Sequence, residues 1–283
     1  GDGWVGYYAG AEYRRGREPK AMYGEPDAPV TADDITMSGC LMGRHSLSYR
    51  AEDVGRPVDY EAPAWAAELP DLAALQRRPR NLTTGEWWLE HAGTWDDLFD
   101  AERSRDELLR ISFGYWDYLK NRAPQRAELT NHKLVYVPYM VAKRETRRLI
   151  GDHVLTANEA VDGVRFPDGI AYGGWPVDIH NPHGIYEGMG PYHTNYRIEE
   201  MYTIPFRCLY SKNIDNLLFA GRCGSFSHFG LGTVRVERTL ASTGQAAGTA
   251  AALCVRNDVS PRELYEDHLD ELQQTLLKYD QYI

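Results

Sequence analysis

The chain has 283 residues, of which 43% are hydrophobic and 25% are charged, a balance that is typical of globular proteins. Its net charge of −10 argues against nucleic acid as the main partner, because binding to phosphates requires a basic surface. No apolar run approaches the length of a membrane-spanning helix. The length allows one large domain or two of ordinary size.

The first part of the chain alternates between loops and short predicted elements. A glycine-rich turn leads into a predicted helix over residues 5–11. Residues 35–43 are predicted to form a strand rich in small side chains. Residues 83–121 are predicted to be mostly helical, because capping-type starts occur at Thr83 and Thr94 and an apolar stripe at helical spacing follows them.

A run of cations follows a predicted strand over residues 134–140. Lys143, Arg144, Arg147 and Arg148 place four positive charges within six positions. Such a run is typical of a solvated turn. A guanidinium can also bind an anionic or hydroxyl-rich substrate, because its donors are arranged as a planar fork.

The main acid–base candidates, Asp178, His180, His183 and His193, fall in one segment rich in glycine and proline, residues 173–195. This composition predicts a loop with ordered turns. Histidine titrates near neutral pH, so it can accept a hydroxyl proton while a hydride leaves carbon. A metal site is disfavoured, because the segment is not helical and a proline separates His180 from His183.

A strand, a glycine loop and a helix are predicted in succession near the end of the chain, over residues 217–220, 221–232 and 233–255. This order is typical of nucleotide-cofactor sites, where glycine lets the backbone approach a ligand closely. Gly244 and Gly248 lie about one turn apart and predict that a sheet, another helix or a ligand comes very near this helix. Tight packing in an ordinary α/β core is the alternative interpretation.

The last predicted element is an amphipathic helix that ends near Leu277. Ser260, Pro261 and Glu263 have the spacing of a helix start, with a capping serine, proline at the first helical position and glutamate three residues after the cap.

The C-terminal run AGRCGSFSHFGLGTVRVERTLASTGQAAGTAAAL resembles the signature of a family of FAD-dependent oxidoreductases with a glutathione-reductase-type fold. Further segments resemble the same family in the family's order: GDGWVGYYAGAEYRRGRE, VAKRETRRLIGDHVLT, GGWPVDIHNPHG and YTIPFRCLYSKNIDNLLFAGR. The resemblance covers nearly the whole chain.

The resemblance implies an α/β fold, in which an FAD-binding domain carries an inserted α+β substrate domain. Residues 1–24 are expected to end the first FAD-binding segment, residues 25–200 to form the substrate domain, and residues 201–283 to form the C-terminal FAD-binding segment. The G-x-G-x-x-G unit that binds the ADP half of FAD is not in the sequence. The chain is therefore expected to be the C-terminal part of a larger polypeptide, with the missing unit cleaved, held in a separate chain or unrecorded.

The resemblance also implies roles for individual residues. Catalytic roles are expected for His180, His228 and Arg144, and substrate contacts for Arg147 and His183. FAD contacts are expected from eight residues: Asp2, Gly221, Arg222, Ser225, Gly232, Thr233, Arg235 and Val236.

The implied function is oxidation of a CH–OH or CH–NH group in a small molecule, such as a sugar or glycoside, by hydride transfer to flavin. The 19 Tyr and 7 Trp residues permit a carbohydrate substrate. The expected partners are this substrate, the missing FAD-binding segment or chain, and further subunits of an oligomer. Two alternatives are a structural or carbohydrate-binding subunit without catalysis, and a polysaccharide lyase that needs no flavin.

Overall fold

The computed structural model of the protein describes residues 1–43, 48–69, 72, 77–187 and 194–283. The chain divides into two compact units. The first unit contains Gly1–Thr36, Glu145–Ile179 and Thr194–Ile283, and the second contains Met37–Arg144 and His180–His193. No helix within the described ranges is both long enough and apolar enough to cross a bilayer.

Helices and short strands both occur in each unit. The helices are α1 (Trp4–Ala9), α2 (Lys20–Tyr23), α3 (Ala101–Asp117), α4 (Ala157–Val161), α5 (His228–Val234), α6 (Glu237–Asn257), α7 (Pro261–Asp267) and α8 (Leu269–Lys278). The strands are β1 (Tyr13–Arg14), β2 (Gly39–Leu41), β3 (Arg50–Asp53), β4 (Glu90–His91), β5 (His132–Tyr136), β6 (Val141–Ala142), β7 (Arg148–Leu149), β8 (Gly169–Gly173), β9 (Val177–Ile179), β10 (Thr194–Tyr196) and β11 (Tyr202–Pro205).

The described strands pair antiparallel in small sheets. In the first unit β1 pairs with β7, β8 with β11, and β9 with β10. In the second unit β2 lies between β4 and β6, and β3 pairs with β5. The mixture of helices and sheets fits the predicted α/β class. The division into residues 1–24, 25–200 and 201–283 stays a prediction.

The core of the second unit forms around α3. Leu108, Ile111 and Tyr115 recur at helical spacing and are buried with Tyr49 and Trp88 from outside the helix. Burying such a stripe is what stabilises a helix of this length in a folded protein.

The predicted helix over residues 83–121 was wrong in its first half, because α3 begins only at Ala101. The Glu86 carboxylate, expected in a capping box, instead accepts the backbone N–H groups of Arg80 and Asn81, at 2.5 and 2.8 Å. The carbonyl of Thr83 accepts the backbone N–H of Ala51. Contacts with distant residues therefore override the local capping pattern.

The predicted helix over residues 233–255 is two helices. α5 ends at Val234, Val236 has extended backbone angles, and α6 then begins at Glu237. Neither a sheet nor another helix comes close to Gly244 or Gly248 as predicted, because a Cβ atom at either position would meet no described protein atom within 4 Å, and close approach of a ligand stays a prediction.

Two other predictions concern the flanks of this region. Residues 217–220 form a single bridge, from Tyr210 to Leu218, in place of the predicted strand. The helix start at Ser260 is confirmed, with both hydrogen bonds of the capping box present. The terminal helix is interrupted at His268, which divides it into α7 and α8.

A fully buried arginine, Arg148, joins distant segments of the first unit. Its Nη2 atom donates to Glu18 Oε1 and to the carbonyl of Gly16, both at 2.7 Å, and its Nε atom donates to the carbonyl of Phe226 at 3.0 Å. Its Nη1 atom forms an ion pair with Glu145. Burial raises the pKa of Glu18, but attraction to Arg148 and the hydrogen bonds from Arg148 and the His228 backbone together outweigh this effect and leave that pKa below its ordinary value.

We expect Arg148→Met to lower the free energy of unfolding by about 3–5 kcal/mol, because two glutamates would stay buried without their cation. Urea denaturation measures the change. The control is Arg256→Met, since Arg256 pairs with Glu271 in a largely exposed position and its loss should cost less than about 1 kcal/mol. If both variants lower the free energy of unfolding equally, the buried ion pairs of Arg148 contribute no more to stability than the exposed pair of Arg256.

Candidate functional site

A buried carboxylate, Glu90 on β4, joins two of the predicted catalytic residues in the second unit. Its Oε2 atom lies 2.6 Å from Nδ1 of His180 and 2.9 Å from Nη1 of Arg144. Burial raises the pKa of Glu90, but attraction to Arg144 and His180 outweighs it and leaves the pKa lowered. Glu90 is therefore an ionised acceptor that holds His180 through Nδ1.

The surroundings of this cluster fix both neighbours of Glu90. Arg144 donates to the carbonyls of Ser38, at 2.6 Å, and Trp87, at 3.3 Å. The Trp87 ring packs edge-on against the His180 ring, with centroids 5.3 Å apart. Gly184 has a φ of +57°, and a Cβ atom there would collide with the Glu90 carbonyl. Only glycine lets the segment after His180 pass so close to β4.

The other acid–base candidates of residues 173–195 lie outside the Glu90 cluster or outside the described residues. His183 is partly exposed, its backbone carbonyl lies 3.2 Å from Nδ1 of His91, and its Nε2 atom lies 3.9 Å from Glu187. His193 lies outside the described residues. Asp178 belongs to β9 in the first unit, where Arg235 donates to its carboxylate and its carbonyl, both at 2.9 Å.

Sequence reasoning missed Glu90. It lies 54 positions from Arg144 and 90 from His180, so no local pattern connects the three. The wrongly predicted helix over residues 83–121 also hid the strand that aims this carboxylate inward. The available signal was an acidic residue directly after the apolar run Trp87–Leu89.

The predicted cofactor loop of the first unit contains an unsatisfied polar group. The Ser225 hydroxyl is fully buried and has no hydrogen-bond partner among the described residues. Four positions earlier, Gly221 has a φ of +72°, and a Cβ there would meet nothing within 4 Å. Its N–H donates to the Thr243 hydroxyl at 3.1 Å. A buried hydroxyl without a partner costs about 1–3 kcal/mol, so a ligand atom that bonds to it would be stabilising.

The next predicted contacts, Gly232 and Thr233 on α5, are packed against the protein itself. A Cβ at Gly232 would lie 2.7 Å from Cδ1 of Ile179 and 3.3 Å from the backbone nitrogen of Asp178, so glycine allows α5 to pack closely on β9. The Thr233 hydroxyl bonds to the hydroxyl of Tyr202 at 2.8 Å and to the carbonyl of Trp175. These contacts explain both residues without a ligand, and their cofactor roles stay predictions.

The remaining predicted contacts lie at the ends of elements in the first unit. Val236 is the N-cap of α6. The Asp2 carbonyl accepts a hydrogen bond from Nη1 of Arg147 at 3.0 Å. Arg222 lies in a short 3-10 turn, and the thiol of the adjacent Cys223 is 3.1 Å from the carbonyl of Gly1. The structure thus places the first residues of the chain beside the turn that contains Arg222.

Arg147, a predicted substrate contact, is buried in an aromatic cage. Its guanidinium carbon lies 4.2 Å from the ring centroid of Trp4, 4.4 Å from that of Tyr7 and 5.4 Å from that of Tyr13. Such cation–π contacts stabilise a desolvated cation. They hold α1 against this part of the chain, and the substrate role of Arg147 stays a prediction.

His228 is buried in the cluster around Arg148. Its Nδ1 atom is 2.9 Å from Glu145 Oε2, and its backbone N–H donates to Glu18 at 2.9 Å. Burial, with repulsion from Arg148, lowers the pKa of His228 to about 3, so the ring is neutral at physiological pH. These contacts hold the loop to Glu18 and Glu145, which is a structural role. The catalytic role of His228 stays a prediction. No group of three or more metal-ligating side chains is found in the described parts of either unit.

Comparison with known proteins identifies a family. A family model described as FAD dependent oxidoreductase matches residues 1–276. Comparison with curated proteins finds no match, and comparison with solved structures finds none either. The cofactor of this family is FAD. The loop of the first unit fits such a group, because the orphaned Ser225 hydroxyl and the open backbone at Gly221 offer it a hydrogen bond and space.

We expect Ser225→Ala to weaken FAD binding about two- to tenfold, since one net hydrogen bond is worth about 0.5–1.5 kcal/mol, and not to lower the melting temperature of the FAD-free protein, because the variant removes a buried hydroxyl that has no partner there among the described residues. Titration followed by flavin fluorescence measures the affinity.

Ser227→Ala is the matched control for this prediction. The Ser227 hydroxyl accepts the Gly230 N–H at 2.8 Å and donates to Glu25 at 2.6 Å, so its loss should destabilise the FAD-free protein by about 1–2 kcal/mol. If Ser225→Ala also destabilises the FAD-free protein, its hydroxyl has a structural partner and the assignment to FAD fails.

We expect His228 to make the protein less stable in acid. The ordinary histidine pKa is 6.5 and that of His228 in the folded protein is about 3, so in this interval the unfolded chain binds a proton that the folded protein does not. Stability is therefore fully present above about pH 6.5 and falls as the pH drops, by up to ~1.4 kcal/mol per pH unit. His228→Gln should remove this contribution in urea denaturation between pH 6 and 4.5. Equal slopes in both proteins would contradict the burial of a neutral ring.

Proposed function

Because the chain belongs to the FAD dependent oxidoreductase family, we propose that it oxidises a CH–OH or CH–NH group of a small molecule such as a sugar or glycoside. Bound FAD supplies the acceptor for the hydride. The protein must then hold the substrate and take the proton that leaves its hydroxyl or amine.

The observation that supports this reaction is the hydrogen bond between His180 and Glu90. An ionised carboxylate at Nδ1 accepts the proton of that nitrogen, so the neutral ring has its lone pair on Nε2. That tautomer can accept a substrate proton. The imidazolium formed in this way is stabilised by Glu90, and Arg144 keeps the carboxylate ionised at 2.9 Å.

We also propose a glutathione-reductase-type arrangement for the cofactor domain, formed by residues 1–24 and 201–283, with residues 25–200 as the inserted substrate domain. In support, the first unit brings residues 1–36 together with residues 194–283; residues 145–179, which the proposal assigns to the substrate domain, also belong to this unit. Limited proteolysis in the presence and absence of FAD tests the arrangement, because the cofactor should protect both ends of the chain and leave the middle unchanged.

We expect His180→Ala to slow reduction of bound FAD about 10²–10⁴-fold while FAD stays bound, because general acid–base catalysis contributes about this much. The measurement is anaerobic stopped-flow absorbance with the most active compound from a panel of sugars, glycosides and amines. His268→Ala in the C-terminal helices is the control histidine. Unchanged reduction kinetics would remove His180 from the mechanism, and a panel that leaves the flavin oxidised would refute the substrate class.

Glu90→Gln tests Glu90 as the positioning residue for His180. The amide keeps the shape of the side chain but removes the charge that stabilises the imidazolium, so we expect slower reduction with the same FAD content. Nitrogen NMR of the histidine rings separates the two roles of Glu90: an unchanged His180 tautomer with slower reduction assigns the effect to the lost charge, because the amide oxygen can still accept the Nδ1–H, and a changed tautomer assigns it to the lost hydrogen bond. Reduction at the unmodified rate would contradict the positioning role.

A further inference from the structure

The second unit contains a cavity of about 610 Å³ that none of the predicted site residues lines. It is lined by α3, by β5 with the residue after it, and by side chains from residues 58–65. Trp65, Phe113, Trp116, Tyr60 and Tyr136 supply aromatic rings to its wall. Its volume falls in the range of about 300–1,000 Å³ that is typical of small-molecule sites.

The rings are held in place, and part of their apolar surface faces solvent. Trp65 packs against Phe113 with centroids 4.9 Å apart, and its carbonyl accepts the Arg110 Nε–H at 3.0 Å. Even so, 50% of Trp65 and 41% of Tyr136 remain exposed. A ligand that covers this exposed aromatic surface removes it from water, and that burial contributes favourably to the free energy of binding.

A second cavity of about 400 Å³ shares one lining residue, His132, with the first. The polar lining comes from a guanidinium, an amide, two hydroxyls and a carboxylate, on Arg80, Asn81, Thr83, Thr84 and Glu128. The buried Nδ1 atom of His132 has no hydrogen-bond partner among the described residues. A hydrogen-bonding cavity and an aromatic cavity therefore share a wall residue, and one nitrogen of that residue is unsatisfied among the described residues.

We propose that these two cavities form one binding site for a glycoside with a flat apolar aglycone. The aglycone stacks on Trp65 in the aromatic cavity, and the sugar hydroxyls bond in the polar cavity. A purely apolar ligand would leave the polar groups unmatched, and a sugar without an aglycone would leave the rings uncovered. The site goes beyond the proposed reaction, because binding there requires neither flavin nor His180.

The test is calorimetric titration of the FAD-loaded protein with three probes: phenyl β-D-glucopyranoside, methyl β-D-glucopyranoside and phenol. We expect the phenyl glucoside to bind at least tenfold more tightly than either of the others. Phenol or the methyl glucoside binding as tightly as the phenyl glucoside would overturn the glycoside assignment, because one compartment alone would then suffice.

Variants locate the binding. Trp65→Ala should weaken phenyl glucoside binding at least tenfold, and Trp65→Tyr should restore most of it because a ring remains. Trp175→Ala is the matched control, since Trp175 is equally exposed, at 50%, and lies in the first unit. Asn81→Ala should weaken the phenyl glucoside but not phenol. Unchanged affinity in Trp65→Ala would overturn the proposal.

The His180→Ala variant separates this inference from the proposed reaction. It should bind the phenyl glucoside as the unmodified protein does, with the same dependence on Trp65. If His180→Ala reduces flavin normally while Trp65→Ala loses binding, the reaction assignment fails and the glycoside site stands. If binding is lost in His180→Ala and kept in Trp65→Ala, the glycoside occupies the reaction site and the present proposal fails.

Discussion

The first unit depends on the buried guanidinium of Arg148. Desolvating this cation costs several kcal/mol, which only well-placed partners can offset. Those partners come from two segments that lie more than a hundred positions apart in the sequence. Glu18 and Gly16 belong to one segment, and Phe226 belongs to the other. Because the partners must be in place together, the position of the loop that begins at Gly221 is tied to the two ends of this unit rather than to local turn chemistry.

A similar device organises the second unit, with the charges reversed. There a carboxylate, Glu90, is buried and is held by the cation Arg144. The histidine in each cluster has a different electrostatic environment. His228 shares its pocket with Arg148, whose charge opposes protonation, and it serves to hold the loop. His180 meets the carboxylate directly at 2.6 Å, so a proton gained by its ring would find a nearby negative charge.

How far the sequence predicts this structure depends on the range of the interaction. The capping box at Ser260 involves residues three positions apart, and it formed as predicted. The one expected at Thr83 did not form, because Glu86 bonds to Arg80 and Asn81 instead. The candidate site followed the same rule: His180 and Arg144 could be named from their residue types, whereas Glu90 could be found only once three distant segments had been brought together.

Glycine shows why a motif does not by itself locate a ligand. Gly221 and Gly232 are the first and last residues of the same predicted loop. The sequence suggested one interpretation for both, that the backbone comes close to a cofactor there. In the structure Gly221 is open at a positive φ, whereas Gly232 packs closely against the side chain of Ile179. The unsatisfied hydroxyl, Ser225, lies near Gly221 in sequence and not near Gly232. The unsatisfied hydroxyl thus lies in the first half of this loop, whereas the second half packs α5 against β9.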